Sequence, residues 1–309
     1  MKAIESALSN LKIGEPIVSG GMAVFPVFHD NAAPMQYLLL DDALEGKLAH
    51  VTEVSESGHV PELFFENASG KPVLLVDGDE LVGARQNRIV NITILVGAGK
   101  KLVIPVSCVE QGRWAYQTRG FSSAGRALFA SARAKKMSAV SESLRHERGR
   151  MGDQGAIWED IQMKMAERSV VSDTSAMSDL YESLEPEMRR AESHFTVQPG
   201  QTGAVFVSGG RVAGIELFDA PEAFAKCFAK TVRAYEMDAP GEATSIDPKA
   251  ALADVQHFLK EMIAASTEQY EALGEGSDVR LAGEHVSGGA LVNGERVVHL
   301  AAYRGQTRV

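Results

Sequence analysis

Six short runs of β-branched, aromatic or otherwise apolar residues, at 23–28, 36–40, 62–66, 72–76, 89–96 and 102–106, follow one another with turn residues between them. Runs of this length and composition read as strands. Turn signals at 67–70, at Asp77-Gly78 and at 97–99 favour hairpins in a mixed or sandwich-like sheet. Residues 41–48 suffice only for a short helix.

After Gly120 the pattern changes. Residues 122–148 are rich in Ala, Leu, Lys, Arg and Glu and lack Pro, which predicts a long helix capped by Ser122 or Ser123. Helical runs continue at 156–168 and 175–195, where Pro186 either kinks the helix or starts a new one. Strands return at 203–208 and 211–218 around Gly209-Gly210, a hairpin signal. Pro221 fits the first turn of a helix running to Met237, and Asp247-Pro248 opens another reaching about Leu273. Asn293-Gly294 between 289–292 and 296–303 marks a final hairpin, and 240–244 is the best short linker. The expectation is an α+β fold: a β-rich portion over 1–120, a helical subdomain over 121–197, and a mixed portion over 198–309 packed on the first. Strands flanking a helical middle suit one composite sheet.

With 309 residues, 45% of them hydrophobic and 23% charged, the chain has the material for a sizeable core. No apolar run reaches membrane-span length, and the N-terminus lacks a signal-type apolar region. Two distant cysteines, Cys108 and Cys227, fit a reducing compartment, so the cytoplasm is expected. A net charge of -10 argues against general nucleic-acid binding. Yet residues 85–150 hold thirteen Lys/Arg against three acids, Glu110, Glu142 and Glu147. Two readings fit this asymmetry: a local anionic ligand such as a phosphate ester, or a basic segment packed against an acidic one.

Residues 77–91 place acids, two arginines and three amides directly after an apolar strand, where loops commonly carry function. Arg85 and Arg88 can bind phosphate or carboxylate oxygens through forked donors, and Gln86, Asn87 and Asn91 offer paired donors and acceptors. The same residues also suit a turn whose amides and acids cap the backbone. Asp77, Asp79 and Glu80 could supply oxygens to Mg²⁺ or Ca²⁺, although the spacing of a calcium loop is missing. In 105–114, an extended backbone would set Cys108 and Glu110 on one face and Ser107 with Val109 on the other. A thiol beside a carboxylate can act as nucleophile and base, whereas a cysteine without an activating histidine is commonly a buried small apolar residue. Arg113 either pairs with Glu110 or binds an anion, and Trp114 either joins the core or stacks on a ligand ring. The eight histidines show no zinc spacing, and no phosphate loop, dinucleotide fingerprint or nucleophile elbow occurs.

Residues 83–91 and 104–114 together resemble the ADP-ribosylglycohydrolase- and rhodanese/phosphatase-superfamily-associated protein family. The likeness continues through Asp153-Gln154, Trp158, 203–206, 217–219, 289–292 and 298–300, nearly the whole chain. The resemblance implies a setting of ADP-ribose, NAD-derived nucleotides or related phosphoesters, and makes Arg85, Gln86, Asn87, Arg88, Asn91, Cys108, Glu110, Arg113 and Trp114 motif positions without assigned roles. One expectation is an enzyme acting on such a phosphoester, with Glu80 or Glu110 as acid/base and Arg85, Arg88 and Arg113 stabilising negative charge. A second is a non-catalytic nucleotide-binding or adaptor protein. A third treats Arg119, Arg126, Arg133 and Lys136 as a helix surface for an acidic partner. The partner expected under the first two is an anionic, nucleotide-like small molecule; cofactor, metal and oligomeric state are left open.

Overall fold

The computed structural model describes residues 2–30, 32–55, 58, 60–240 and 245–305. The chain opens with α1 (Lys2–Ser9), β1 (Leu11–Ile13), β2 (Ile17–Ser19) and β3 (Met22–His29). Next come β4 (Leu38–Leu39), α2 (Leu40–Glu45), β5 (Ala49–Glu53), β6 (Glu62–Asn67), β7 (Val73–Leu75), β8 (Asp79–Gly83), β9 (Arg88–Val90), β10 (Ile94–Val96), β11 (Lys101–Cys108) and β12 (Phe121–Ala127). Four helices follow, α3 (Ala130–Arg145), α4 (Gln154–Glu167), α5 (Met177–Ser183) and α6 (Glu185–His194). The chain ends with β13 (Gly203–Ser208), β14 (Arg211–Phe218), α7 (Pro221–Glu236), α8 (Pro248–Ala264), β15 (Ser266–Glu271), β16 (Ser277–Ala282), β17 (Val286–Asn293) and β18 (Arg296–Arg304). The class is α+β with a β-rich N-terminal portion.

Strands from both ends of the chain share one sheet of nine, ordered β1-β3-β13-β14-β18-β17-β16-β15 with β2 also on β3. Pro26 is tolerated inside β3 because β3 changes partner there: β2 pairs with 22–24 and β1 with 27–29. The missing N–H falls in that gap. One face of the sheet buries Phe25, Val205, Ile215 and Leu300 against Leu8 of α1 and Val255 and Phe258 of α8. The other buries Val24, Phe206 and Phe218 against Phe224 and Tyr235 of α7. Each such side chain contributes about 1.5–3 kcal/mol.

A second sheet runs β12-β8-β9-β11-β6-β5. Thr52 of β5 and Gly120, just before β12, form an isolated antiparallel bridge, so the sheet curls round into a small barrel whose two end strands touch at that point. Val51, Leu63, Phe65, Leu81, Val90, Ile104, Val106 and Phe121 cluster within it. Ile89 and Val109 point outward and pack on Ile157 and Ile161 of α4 and Leu180 and Tyr181 of α5. A small third sheet, β10-β7-β4, packs on the same core as the barrel.

Several expected elements differ. The helix placed from Ser122 begins only at Ala130, because 121–127 pair with β8 as β12. Its first turn is capped from a distance: Asp238 accepts from the Ser131 N–H at 2.7 Å and its hydroxyl at 2.9 Å. The helix from Asp247, which does cap it by accepting from Lys249 N–H at 2.9 Å, stops at Ala264, and β15 takes the remainder as partner of β16. The apolar run 89–96 is two strands, since Asn91 and Thr93 turn their side chains to Ser107 and His299. Pro186 starts α6. Residues 241–244 of the linker lie outside the described residues. Among the described residues no helix is long and apolar enough to cross a membrane.

Candidate ligand-binding site

Residues 77–91 are a hairpin. Leu81 pairs with Arg88 and Arg88 with Cys108, so these three side chains share the face that carries Val90 and Val106 into the barrel. Glu80, Ile89 and Ser107 occupy the opposite face by the same register. On the far side of the barrel, β5 turns Ala49 and Val51 inward, and the period of two brings Glu53 to the same interior. Arg88, Cys108 and Glu53 therefore line one end of the barrel.

The connection between β8 and β9 needs unusual backbone. Gly83 adopts φ +127 and Ala84 φ +38, and a Cβ on Gly83 would lie 2.6 Å from both Gly120 O and Thr118 Oγ1. Arg113 holds this turn: its guanidinium donates to Gly83 O, Ala84 O, Ala115 O and Asn87 Oδ1. It also grips Glu110 side-on, Nε to Oε1 at 2.8 Å and Nη2 to Oε2 at 2.6 Å. Glu110 further accepts from Asn87 N–H at 3.0 Å and Thr174 Oγ1 at 3.2 Å. With both partners occupied in this way, Glu110 and Arg113 work as a brace. Gln86 donates to Glu110 O at 2.9 Å and accepts from Arg88 Nη1 at 2.9 Å.

Arg88 is 0% exposed. Its Nε and Nη2 have no hydrogen-bond partner among the described residues. These two nitrogens form one edge of the guanidinium, the same fork that in Arg113 grips both oxygens of a carboxylate. Burial pulls the Arg88 pKa down from its usual value, with Cys108 and Glu53 opposing. Over it lies an aromatic lid. Trp114 sits 5.8 Å from the Arg88 guanidinium, and Arg85 lies between Trp114 at 5.5 Å and Tyr116 at 4.3 Å. Both aromatics stay about half exposed, at 45% and 49%, so stacking surface remains accessible.

Cys108 shares the interior with Arg88, but its thiol bonds the Glu110 backbone, and burial pushes its pKa up. That environment suits an inert thiol. Asn91 lies away from the mouth, where it accepts from Ser107 Oγ at 2.8 Å and donates to Arg150 O at 3.1 Å. The three acids weighed as metal ligands go to separate cations: Asp77 to Lys136 and Arg133, Asp79 to Lys230 at 2.6 Å, and Glu80 to Arg126 at 3.0 Å. Among the described residues no group of three or more His, Cys, Asp or Glu is arranged to hold a metal ion.

Glu80 lies outside the barrel wall, with Oε1 buried and unpartnered among the described residues. Burial, partly offset by Arg126, pushes its pKa from 4.5 up to about 7. Between those values the native state keeps a proton that the unfolded chain has released, so this stability is present below the lower value and lost as pH rises through the upper one. Glu80→Gln is expected to raise stability at about pH 8 by about 1–2 kcal/mol and to flatten its pH dependence between about 5 and 7. Urea midpoints across that range measure both effects.

A buried ionic network joins barrel and large sheet. Arg133 donates to Glu216 Oε1 at 2.7 Å, Glu216 Oε2 meets His299 Nε2 at 3.1 Å, and His299 Nδ1 meets Thr93 Oγ1 at 2.8 Å. Tyr303 donates to Glu216 at 3.2 Å, and Lys136 pairs with Asp77. This corrects the expected partner-binding helix surface: Arg133 and Lys136 are 2% and 1% exposed, Arg126 belongs to β12 and pairs with Glu80, and Arg119 precedes that strand. Among the described residues, at least eight of the thirteen cations in 85–150 form ion pairs. Packing of basic against acidic segments thus accounts for most of the asymmetry, and Arg88 stands out from it.

The family model described as the ARG and Rhodanese-Phosphatase-superfamily-associated Protein domain matches residues 10–303. No curated protein and no solved structure matches the chain.

Proposed function

Given that the chain belongs to the ARG and rhodanese-phosphatase-superfamily-associated protein domain family, we propose that it binds an ADP-ribose-like or other nucleotide phosphoester at the barrel mouth without transforming it. The observation that carries this reading is the Arg88 fork, buried and unfilled among the described residues beneath Trp114. An unpaired buried guanidinium costs several kcal/mol, and a protein keeps such a group where an oxyanion repays it on binding. Trp114 and Tyr116 supply faces for a base or sugar, and the mouths of small barrels commonly take such ligands. Binding takes place in the cytoplasm, where the buried, unpaired Cys108 and Cys227 stay reduced.

Neither of the two acids expected as catalytic serves as a free base at this mouth, because Glu110 is braced by Arg113 and Glu80 lies on the other face of the wall. A catalytic reading has one observation behind it, the Thr93–His299–Glu216 relay, beside a cavity of about 10 Å³ that matches a single water. Calorimetry and product analysis with ADP-ribose and NAD, with and without Mg²⁺, separate the two. Saturable binding with both compounds recovered intact is expected. Turnover that disappears in Thr93→Val would establish the enzyme instead.

A further inference from the structure

We infer that Glu53 reads hydroxyl groups of the bound phosphoester, so that the mouth selects ligands carrying a vicinal diol, the ribose phosphate class. This rests on the reading of Arg88 as the anion holder and adds a second, independent observation to it. Both Glu53 carboxylate oxygens are buried without a hydrogen-bond partner among the described residues, as are Arg88 Nε and Nη2. The two side chains enter the same barrel interior from β5 and β9, near enough for the Glu53 charge to bear on the guanidinium. They nonetheless leave four complementary atoms unpaired with each other.

A guanidinium only donates hydrogen bonds and an ionised carboxylate only accepts them. One ligand satisfies both if it presents acceptors to Arg88 and donors to Glu53. A phosphate group alone fills the first need and leaves the second. Two neighbouring hydroxyls fill the second, in the manner by which an acidic side chain commonly holds a ribose in nucleotide sites. An ammonium group would also donate, but it would set a further cation beside Arg85 and Arg88, whereas hydroxyls add no charge.

The test is isothermal titration of the full chain with ribose 5-phosphate, 2-deoxyribose 5-phosphate, inorganic phosphate and phosphoethanolamine, in the wild type, Glu53→Gln and Arg88→Met. Ribose 5-phosphate is expected to bind about 10- to 100-fold more tightly than its deoxy analogue, the size of a buried charge-assisted hydrogen bond. Glu53→Gln is expected to remove most of that gap and to hold or tighten the binding of inorganic phosphate, since a negative charge that bears on Arg88 is gone. The wild-type comparison needs no variant, so it decides even if Glu53→Gln folds poorly. Equal affinity for the two sugars overturns the role of Glu53, while phosphate binding that still depends on Arg88 keeps the anion site. Tightest binding of phosphoethanolamine overturns the diol in favour of an amine. No binding of any phosphate compound overturns both.

Discussion

Arg88→Met is expected to weaken ADP-ribose binding by at least about 100-fold while leaving the protein as stable as the wild type or more so. The two halves of this outcome come from one fact. Arg88 is wholly buried, yet two of its three nitrogens make no hydrogen bond among the described residues. Replacing it with an unbranched apolar side chain of similar length removes the cost of desolvating a charge and keeps contact with the barrel interior. The losses on the other side are the Nη1 hydrogen bonds to Gln86 Oε1 at 2.9 Å and to Asn87 O at 3.5 Å, and the contact with the Trp114 ring. A residue serving stability alone would show the opposite pattern, with a large fall in the urea midpoint and no ligand to lose. Functional groups held at a cost to the fold are the usual origin of this trade.

Glu216→Leu is expected to cost about 3–5 kcal/mol of unfolding free energy. Burial alone would raise the Glu216 pKa, but Arg133 and His299 outweigh it and hold the carboxylate below its ordinary value. The charge is thus present, and its removal takes a shared partner from Arg133, His299 and Tyr303 at once, leaving Arg133 only the longer pair with Asp77 at 3.5 Å among the described residues. Arg133→Met in the same chain should restore at least half of the loss, because the stranded cation goes with it. Urea unfolding of the two single variants and the double variant measures the coupling. The network also fixes how the barrel meets the large sheet, since Asp77 precedes β8, Arg133 and Lys136 lie on α3, and Glu216 and His299 lie on β14 and β18. Acid should weaken this junction: with a depressed folded pKa, the contribution of Glu216 is present above the unfolded value and lost as pH falls through the folded one.

Much of the strand framework was legible because its runs were short, apolar and separated by turn residues. Where the local signal failed, tertiary pairing had decided the matter. Residues 122–127 lead into a run, 122–148, of helical composition, but Ser123 bonds Asp41, Gly125 takes φ +60, and the segment bulges while pairing with β8. The site was legible in residue type and not in direction. Arg85, Arg88 and Arg113 looked equivalent in sequence, yet the register of β8, β9 and β11 sends one into the barrel, while the turn recruits another as its brace. Glu53 had a usable signal, since Ala49 and Val51 alternate with exposed residues and place position 53 inside. Glu216 and His299 had none: β14 and β18 are buried on both faces, so no alternation distinguishes a polar core residue there.

The central claim, that the Arg88 fork is an oxyanion site under an aromatic lid, meets its most direct test in a crystal structure of the protein with ADP-ribose. The prediction is a phosphate oxygen of the ligand about 2.7–3.2 Å from both Nε and Nη2 of Arg88, with the adenine or ribose against Trp114 or Tyr116. ADP-ribose bound elsewhere, with the Arg88 fork still unfilled, would contradict it.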